Sequence, residues 1–475
     1  MNHYFKVEIT LRYILKRRQK YFNYFQNKLC DIIFNNLPNN NEWEEINQLA
    51  NSYATLCISN GLSMRYVFSH LCMLLRITNY GVRTVREQLL YVTKMLYEDC
   101  RFTCVFSLSY KGEQFISNAI PSNISIDNTV INPPSSPHRL KISIETRASD
   151  YISAAFSAQQ VLCKFLNSNQ FKFAPQIDDG CTTIRLGSTA HKNEVNIVEH
   201  IHFLTSKSGT IFSKSEFHPE EVFDVLDDTS RNYWERSLRY HFLANDTCNL
   251  EQKFLSLWIA LESLFVNISG NIIGKISEIV PLVYATTSLK YRLLYLKNLL
   301  IENRIHIPNA NVSAGTPSPV FYDSISDSEF LHLISSERDA EGLFNTLGDM
   351  NHLKYRVRKT SELFSDKQAI MRQIEKSKID VKHQLNRIYY FRNLIAHAGY
   401  NQGIPLQLIT HLLDYVYSTY YALSVAAKTQ ADDKNVSLQK LFFTYSVGCD
   451  YFMDNLENSM SFPLDDINCL TPTIV

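Results

Sequence analysis

The chain has 475 residues, 45% of them hydrophobic and 20% charged, with 47 basic and 47 acidic side chains. That composition excludes a disordered chain, and the even charge gives no global pull toward a polyanionic partner. The length exceeds one ordinary core and implies two or three domains.

Fourteen glycines is under half the usual share of about 7%, which favours helix over turn-rich β structure. Ten cysteines include no C-x2-C pair and no Cys/His cluster at zinc-finger spacing, so they read as reduced core thiols rather than a disulfide framework or a metal site. The N-terminus carries charges through Arg12 to Lys20 and lacks the apolar core of a signal peptide. The most apolar helical run, 254–268, contains Glu262 and is shorter than the ~20 residues a bilayer requires. The expectation is a cytoplasmic protein with no membrane partner.

Residues 1–100 read mostly as helix. Positions 11–34 mix aromatics with Arg12, Lys16, Arg17, Arg18 and Lys20, giving one basic side that is either a solvated face or a nucleic-acid contact. Pro38 among asparagines marks a break, and helices follow over 43–60, 64–77 and 84–97. The pattern then changes. Residues 102–110 and 140–148 alternate polar and apolar with β-branched and aromatic enrichment, as half-buried strands do. A polar loop is expected over 121–137, an amphipathic helix over 149–166 and a strand over 182–186. Glu199-His200-Ile201-His202-Phe203 would place both histidines on one strand face, but no third ligand is evident, so no metal is assigned.

From Pro219 helix returns. Phe254, Leu257, Trp258, Leu261, Leu264 and Phe265 form a broad apolar face that surrounds Glu262. A carboxylate there needs a donor, Arg392 or Arg387, unless it sits at the edge of the face and reaches water. A helix continues over 271–300 with a break at Pro281, and 307–328 is a Pro- and Ser-bearing loop. Residues 354–392 carry eleven Lys and Arg against four Asp and Glu, a local +7 that includes Lys376, Lys378 and Lys382. Such a run is a solvated face or a track for a phosphate backbone. A closing helix is expected over 406–428, and the end of the chain reads as loose and proline-bearing.

The basic run leads into Tyr389-Tyr390-Phe391-Arg392-Asn393-Leu394-Ile395-Ala396-His397-Ala398-Gly399. Leu385, Ile388, Phe391 and Ile395 recur at helical spacing, and Gly399 sits where helices commonly end. Arg392 falls within that stripe, between Ile388 and Ile395; Asn393 and His397 share a neighbouring face with Asn386 and Tyr390. The segment joins a fixed cation, an amide and an imidazole, the side chain that ordinarily titrates near neutrality.

Arg392-Asn393 followed by apolar residues and His397 resembles the R-x4-6-H signature of the HEPN superfamily, many of whose members are ribonucleases. Phe254-Leu255-Ser256-Leu257-Trp258-Ile259-Ala260-Leu261-Glu262-Ser263-Leu264-Phe265 is similar to the "lWiALEsLf" helix of its ApeA-like branch. The resemblance spans roughly residues 223–428, under half the chain. It implies a mainly α protein with a smaller α/β part and a C-terminal HEPN-type helical bundle. The expected divisions are 1–100 helical, 101–222 α/β, 223–430 bundle and 431–475 extension.

RNA is cut without a metal when its own 2′-hydroxyl attacks the adjacent phosphorus. That reaction needs a base, an acid and donors for the phosphoryl oxygens. Imidazole suits the first two and the arginine fork the third. The expectation is therefore a metal-independent endoribonuclease without cofactor, with Arg392, Asn393 and His397 catalytic. Glu262, Arg387 and Tyr390 support them, and Lys376, Lys378 and Lys382 hold RNA. One helix offers one histidine of this motif. By the resemblance, the second comes from His397 of another copy in a homodimer or higher homo-oligomer. The resemblance also implies a defence or toxin role on host or phage RNA, with a phage-derived trigger. The alternative is a non-catalytic HEPN module that binds RNA or scaffolds an assembly. No P-loop, G-x-G-x-x-G, G-x-S-x-G or H-E-x-x-H signature competes.

Overall fold

The computed structural model describes residues 24, 27–28, 40–59, 61–69, 87, 100–110, 122–127, 138–169, 176–187, 192–197, 219–247, 249–268, 270–307, 321–348, 350–398, 404–430, 434–458 and 460–472. They are mostly helical, with one small antiparallel sheet. The chain divides into two compact units, Met1–Phe203 and Leu204–Val475.

In the first unit α1 (Asn40–Ser59) precedes β1 (Cys100–Tyr110), β2 (Ile124–Asp127), β3 (His138–Ala148), α2 (Tyr151–Asn169), β4 (Gln176–Arg185) and β5 (Lys192–Asn196). The strands lie in the order β2-β3-β1-β4-β5, every neighbouring pair antiparallel. Alternation decides which face is covered. Phe102, Cys104, Phe106 and Leu108 of β1 are buried with Leu140, Ile142 and Ile144 of β3, and the apolar side of α2 (Ala154, Ala155, Ala158, Leu162) is buried too. Asp150 caps α2, accepting from the backbone N–H of Ile152 and Ser153, both at 2.9 Å, and from Ser63 N–H at 2.8 Å.

The expected strands at 102–110 and 140–148 and the helix at 149–166 are present with small shifts at their ends, whereas the strand expected over 182–186 is twice as long and starts at Gln176. Two short strands escaped the pattern. β2 lies inside the expected loop 121–137, and β5 carries only one buried side chain, Val195, in five residues. The basic segment 11–34, apart from Tyr24, Asn27 and Lys28, lies outside the described residues. So do His200, His202 and all but Glu87 of the 84–97 helix.

The second unit contains α3 (Pro219–Val225), α4 (Asp228–Asp246), α5 (Leu250–Ser263), α6 (Ile272–Glu302), α7 (Asp327–Ser335), α8 (Glu337–Thr346), α9 (Asn351–Phe364), α10 (Lys367–Ala398), α11 (Leu406–Lys428) and α12 (Leu438–Asn458). Short 3₁₀ turns occupy Tyr322–Ser324 and Ile467–Leu470. Buried hydroxyls tie the helices together. Ser237 of α4 donates to Ala260 O of α5 at 2.6 Å and lies 2.8 Å from the Tyr420 hydroxyl of α11. Thr286 of α6 meets the Tyr445 hydroxyl of α12 at 3.0 Å.

Pro281 does not break its helix; it is buried inside the continuous 31-residue α6. A proline in a helix interior costs ~3 kcal/mol. Each large apolar side chain fully buried contributes ~1.5–3 kcal/mol, and Val280, Val283, Leu289 and Leu293 are all buried. Among the described residues one helix, α6, is long and apolar enough to cross a membrane by length and composition. Its apolar residues Leu289, Leu293, Leu296 and Leu300 belong to the unit's own core. The chain end is not loose either: Phe452, Leu456, Leu464, Ile467 and Leu470 join the same core.

Candidate functional site

The candidate residues ride on α10. Asp366 caps its start, accepting from Gln368 N–H at 3.1 Å and Ala369 N–H at 3.2 Å. Ile370, Ile374, Val381, Leu385 and Ile388 are buried along its inner side. Past Ile388 the stripe thins, and Phe391 and Ile395 are only half-buried. The last turns therefore combine one packed side with an open one.

α5 fixes the position of this end. The ring of Trp258 lies 5.9 Å from that of Tyr389, tilted by 42°. One turn beyond Trp258 stands Glu262, and three residues beyond Tyr389 stands Arg392. The ring contact thus sets the charged pair: Arg392 Nη2 is 3.7 Å from Glu262 Oε2, with the side chains 26% and 24% exposed. Arg392 Nη1 also donates to Asn393 Oδ1 at 3.1 Å. The guanidinium bridges a carboxylate on one helix and an amide on another while keeping a quarter of its surface in water. Of the two donors considered for Glu262, Arg392 is the one that reaches it. Arg387 lies about 140° round the helix from Arg392 and is exposed.

His397 is exposed in the final turn of α10, next to the exposed Ala396. Gly399, the expected terminator, lies outside the described residues. Tyr390 is 61% exposed, with its ring edge-on to Phe391 at 5.8 Å. Lys376 and Lys382 are exposed, and Lys378 is bound to Glu375 at 2.7 Å. At ~1.5 Å per residue, Lys376 stands about 32 Å and Lys382 about 22 Å along the axis from His397. The structure therefore brings together Glu262, Arg392 and Asn393, leaves His397 one turn further out, and strings the lysines upstream.

One residue missed by the sequence reading belongs to this face. His383 is exposed and, with Lys376, Tyr390 and His397, falls at intervals of seven. Seven residues make nearly two whole turns, so the four share one side with a drift of ~20° per step. The spacing was visible in the sequence. Apolar periodicity gives no signal for it, because the seam runs through polar residues.

Among the described residues no group of three or more His, Cys, Asp and Glu is arranged to hold a metal ion. Comparison with protein-family models, curated proteins and solved structures gives no match to this chain.

Proposed function

We propose that the second unit is a HEPN-like helical bundle that acts as a metal-independent endoribonuclease, with Arg392, Asn393 and His397 as its working residues. One observation carries this reading. At the open end of α10 a guanidinium, an amide and an imidazole lie within six residues, all of them at least partly in contact with solvent. A site that must admit a ribose-phosphate strand needs that access.

The chemistry follows from the groups. A base takes the 2′-hydroxyl proton, the 2′-oxygen bonds to phosphorus, and the P–O5′ bond breaks as an acid supplies a proton to the leaving oxygen. The products are a 2′,3′-cyclic phosphate and a 5′-hydroxyl. Arg392 holds the phosphoryl oxygens, and Asn393, already its hydrogen-bond partner, orders the same oxygens. His397 serves one proton transfer; the other falls to His397 of a second copy in a homodimer. A defence or toxin role against host or phage RNA, in the cytoplasm and under a phage-derived trigger, goes with this reading.

The ion pair to Glu262 favours a second reading, in which Arg392 is a structural cation and the bundle binds RNA or scaffolds an assembly without cutting. Labelled RNA incubated in EDTA with the full chain separates the two. Wild type is expected to leave cyclic-phosphate ends, and His397→Ala and Arg392→Ala are expected to leave the strand whole. Intact RNA under activating conditions, or equal cutting by His397→Ala, overturns the nuclease. Sedimentation that shows only monomer while cutting persists removes the shared site.

A further inference from the structure

We propose that the outer seam of α10 takes an unpaired RNA strand, and that Tyr390 is the residue that selects the unpaired form, stacking on a base beside the cut. The inference rests on the ribonuclease reading for the identity of the ligand and adds the class of RNA and the residue that selects it.

Three observations converge. First, the seam is mostly polar where a partner helix would need it apolar. The residues at intervals of seven are Lys376, His383, Tyr390 and His397, and Asn386 and Asn393 fall between them, with Ile379 as an exposed apolar side chain on the same side. A helix packing in register requires apolar residues at those positions, so a coiled-coil partner is a poor occupant. Second, the charge is one-sided. Between Asp380 and Asp414 the chain contains no Asp or Glu, while Lys382, His383, Arg387, Arg392 and His397 lie on α10 within that stretch. Among the described residues Lys382, His383, Arg387 and His397 form no ion pair, so no neighbouring carboxylate competes for them. Third, Tyr390 is a largely bare aromatic ring set in the middle of that polar seam, with Arg387 one turn before it and Asn393 one turn after. An aromatic ring among cations is the arrangement on which single-strand binders stack bases.

Geometry selects the unpaired form. The major groove of an A-form duplex is too narrow and deep to admit a helix face, and paired bases present no free ring surface. A single strand lays its bases out and can stack one on Tyr390. Tyr390 and His397 are two turns, about 10 Å, apart along the axis. A base held on the ring thus sits a step or two of the strand away from the phosphate at His397, so the stack fixes the strand beside the cut whatever the base.

The test uses the full chain carrying His397→Ala, with fluorescence anisotropy on a short mixed-sequence RNA, on the same RNA annealed to its complement, and on the same strand with abasic sites. The single strand is expected to bind more tightly than the duplex. Adding Tyr390→Ala is expected to weaken it by about 5- to 150-fold, and Tyr390→Phe to restore binding. One abasic position should reproduce the loss. Equal binding of single strand and duplex, or no change on Tyr390→Ala with the helical circular dichroism intact, overturns the inference. Cutting of RNA by wild type together with an inert Tyr390 sinks this inference alone. Tyr390-dependent binding without any cutting by wild type sinks the nuclease alone, and absence of any RNA binding sinks both.

Discussion

Replacing Glu262 by glutamine asks whether the carboxylate helps the site or competes with its ligand. Glutamine keeps the shape and removes the charge. At 3.7 Å, two unit charges attract by about 1 kcal/mol under full water screening and about 4 kcal/mol at the effective dielectric near a protein surface. Both side chains keep about a quarter of their surface in water. The distance also exceeds that of a charge-assisted hydrogen bond, ~2.7–2.9 Å. Desolvation and side-chain ordering trim such pairs to about 1 kcal/mol.

A phosphate approaching Arg392 on its Nη2 side meets the like-charged Glu262 carboxylate 3.7 Å away, while Nη1 is bound to Asn393. Glu262→Gln is therefore expected to tighten RNA binding by about fivefold, the equivalent of ~1 kcal/mol. The unfolding midpoint of the protein should fall slightly. The assay is anisotropy of labelled RNA titrated with His397→Ala protein with and without Glu262→Gln, repeated across salt. Weaker binding in the double variant would mean that Glu262 positions the guanidinium and does not compete for it, and the reasoning would be refuted. In that event the carboxylate belongs with the binding machinery.

Other expectations follow from the same structure. Arg392→Lys keeps the charge but loses the fork, and cutting should fall by about 10²- to 10³-fold, the cost of one transition-state donor, in single-turnover assays at saturating protein. Burial, followed by the charge of Lys253, lowers the His241 pKa from its ordinary 6.5 to about 4. Between those values the unfolded chain binds more protons, so stability is full above pH 6.5 and declines as the pH falls toward 4, by at most ~3 kcal/mol. Urea melts of His241→Gln should lose that slope. Among the described residues the Tyr322 hydroxyl is fully buried with no hydrogen-bond partner, so Tyr322→Phe should leave the melting temperature level or raise it. Ser237→Ala removes the donor to Ala260 O and the contact with the Tyr420 hydroxyl, and should cost about 1–3 kcal/mol in the same melts.

How far the sequence reads through to these groups depends on the range of the forces involved. Period-two alternation located β1 and β3, whose buried faces are long. It failed for β2 and β5, which have four and five residues and owe their existence to hydrogen bonding with β3 and β4. Pro281 misled because a local penalty was visible and its compensation, burial against distant helices, was not.

The same distinction applies at the site. Helical spacing alone placed Arg392, Asn393 and His397 on one end of α10, because rise and twist are fixed along a single helix. That Glu262 faces Arg392 and not Arg387 depends on Trp258 meeting Tyr389, a contact between segments more than a hundred residues apart. Spacing leaves both arginines open; packing of two aromatic rings decides between them. Glu262 is thus the hinge between the two readings of this site. Its carboxylate stands beside the guanidinium that the proposed reaction requires, and the sign of the change in RNA affinity when it is neutralised separates a ligand-competing pair from a structural one.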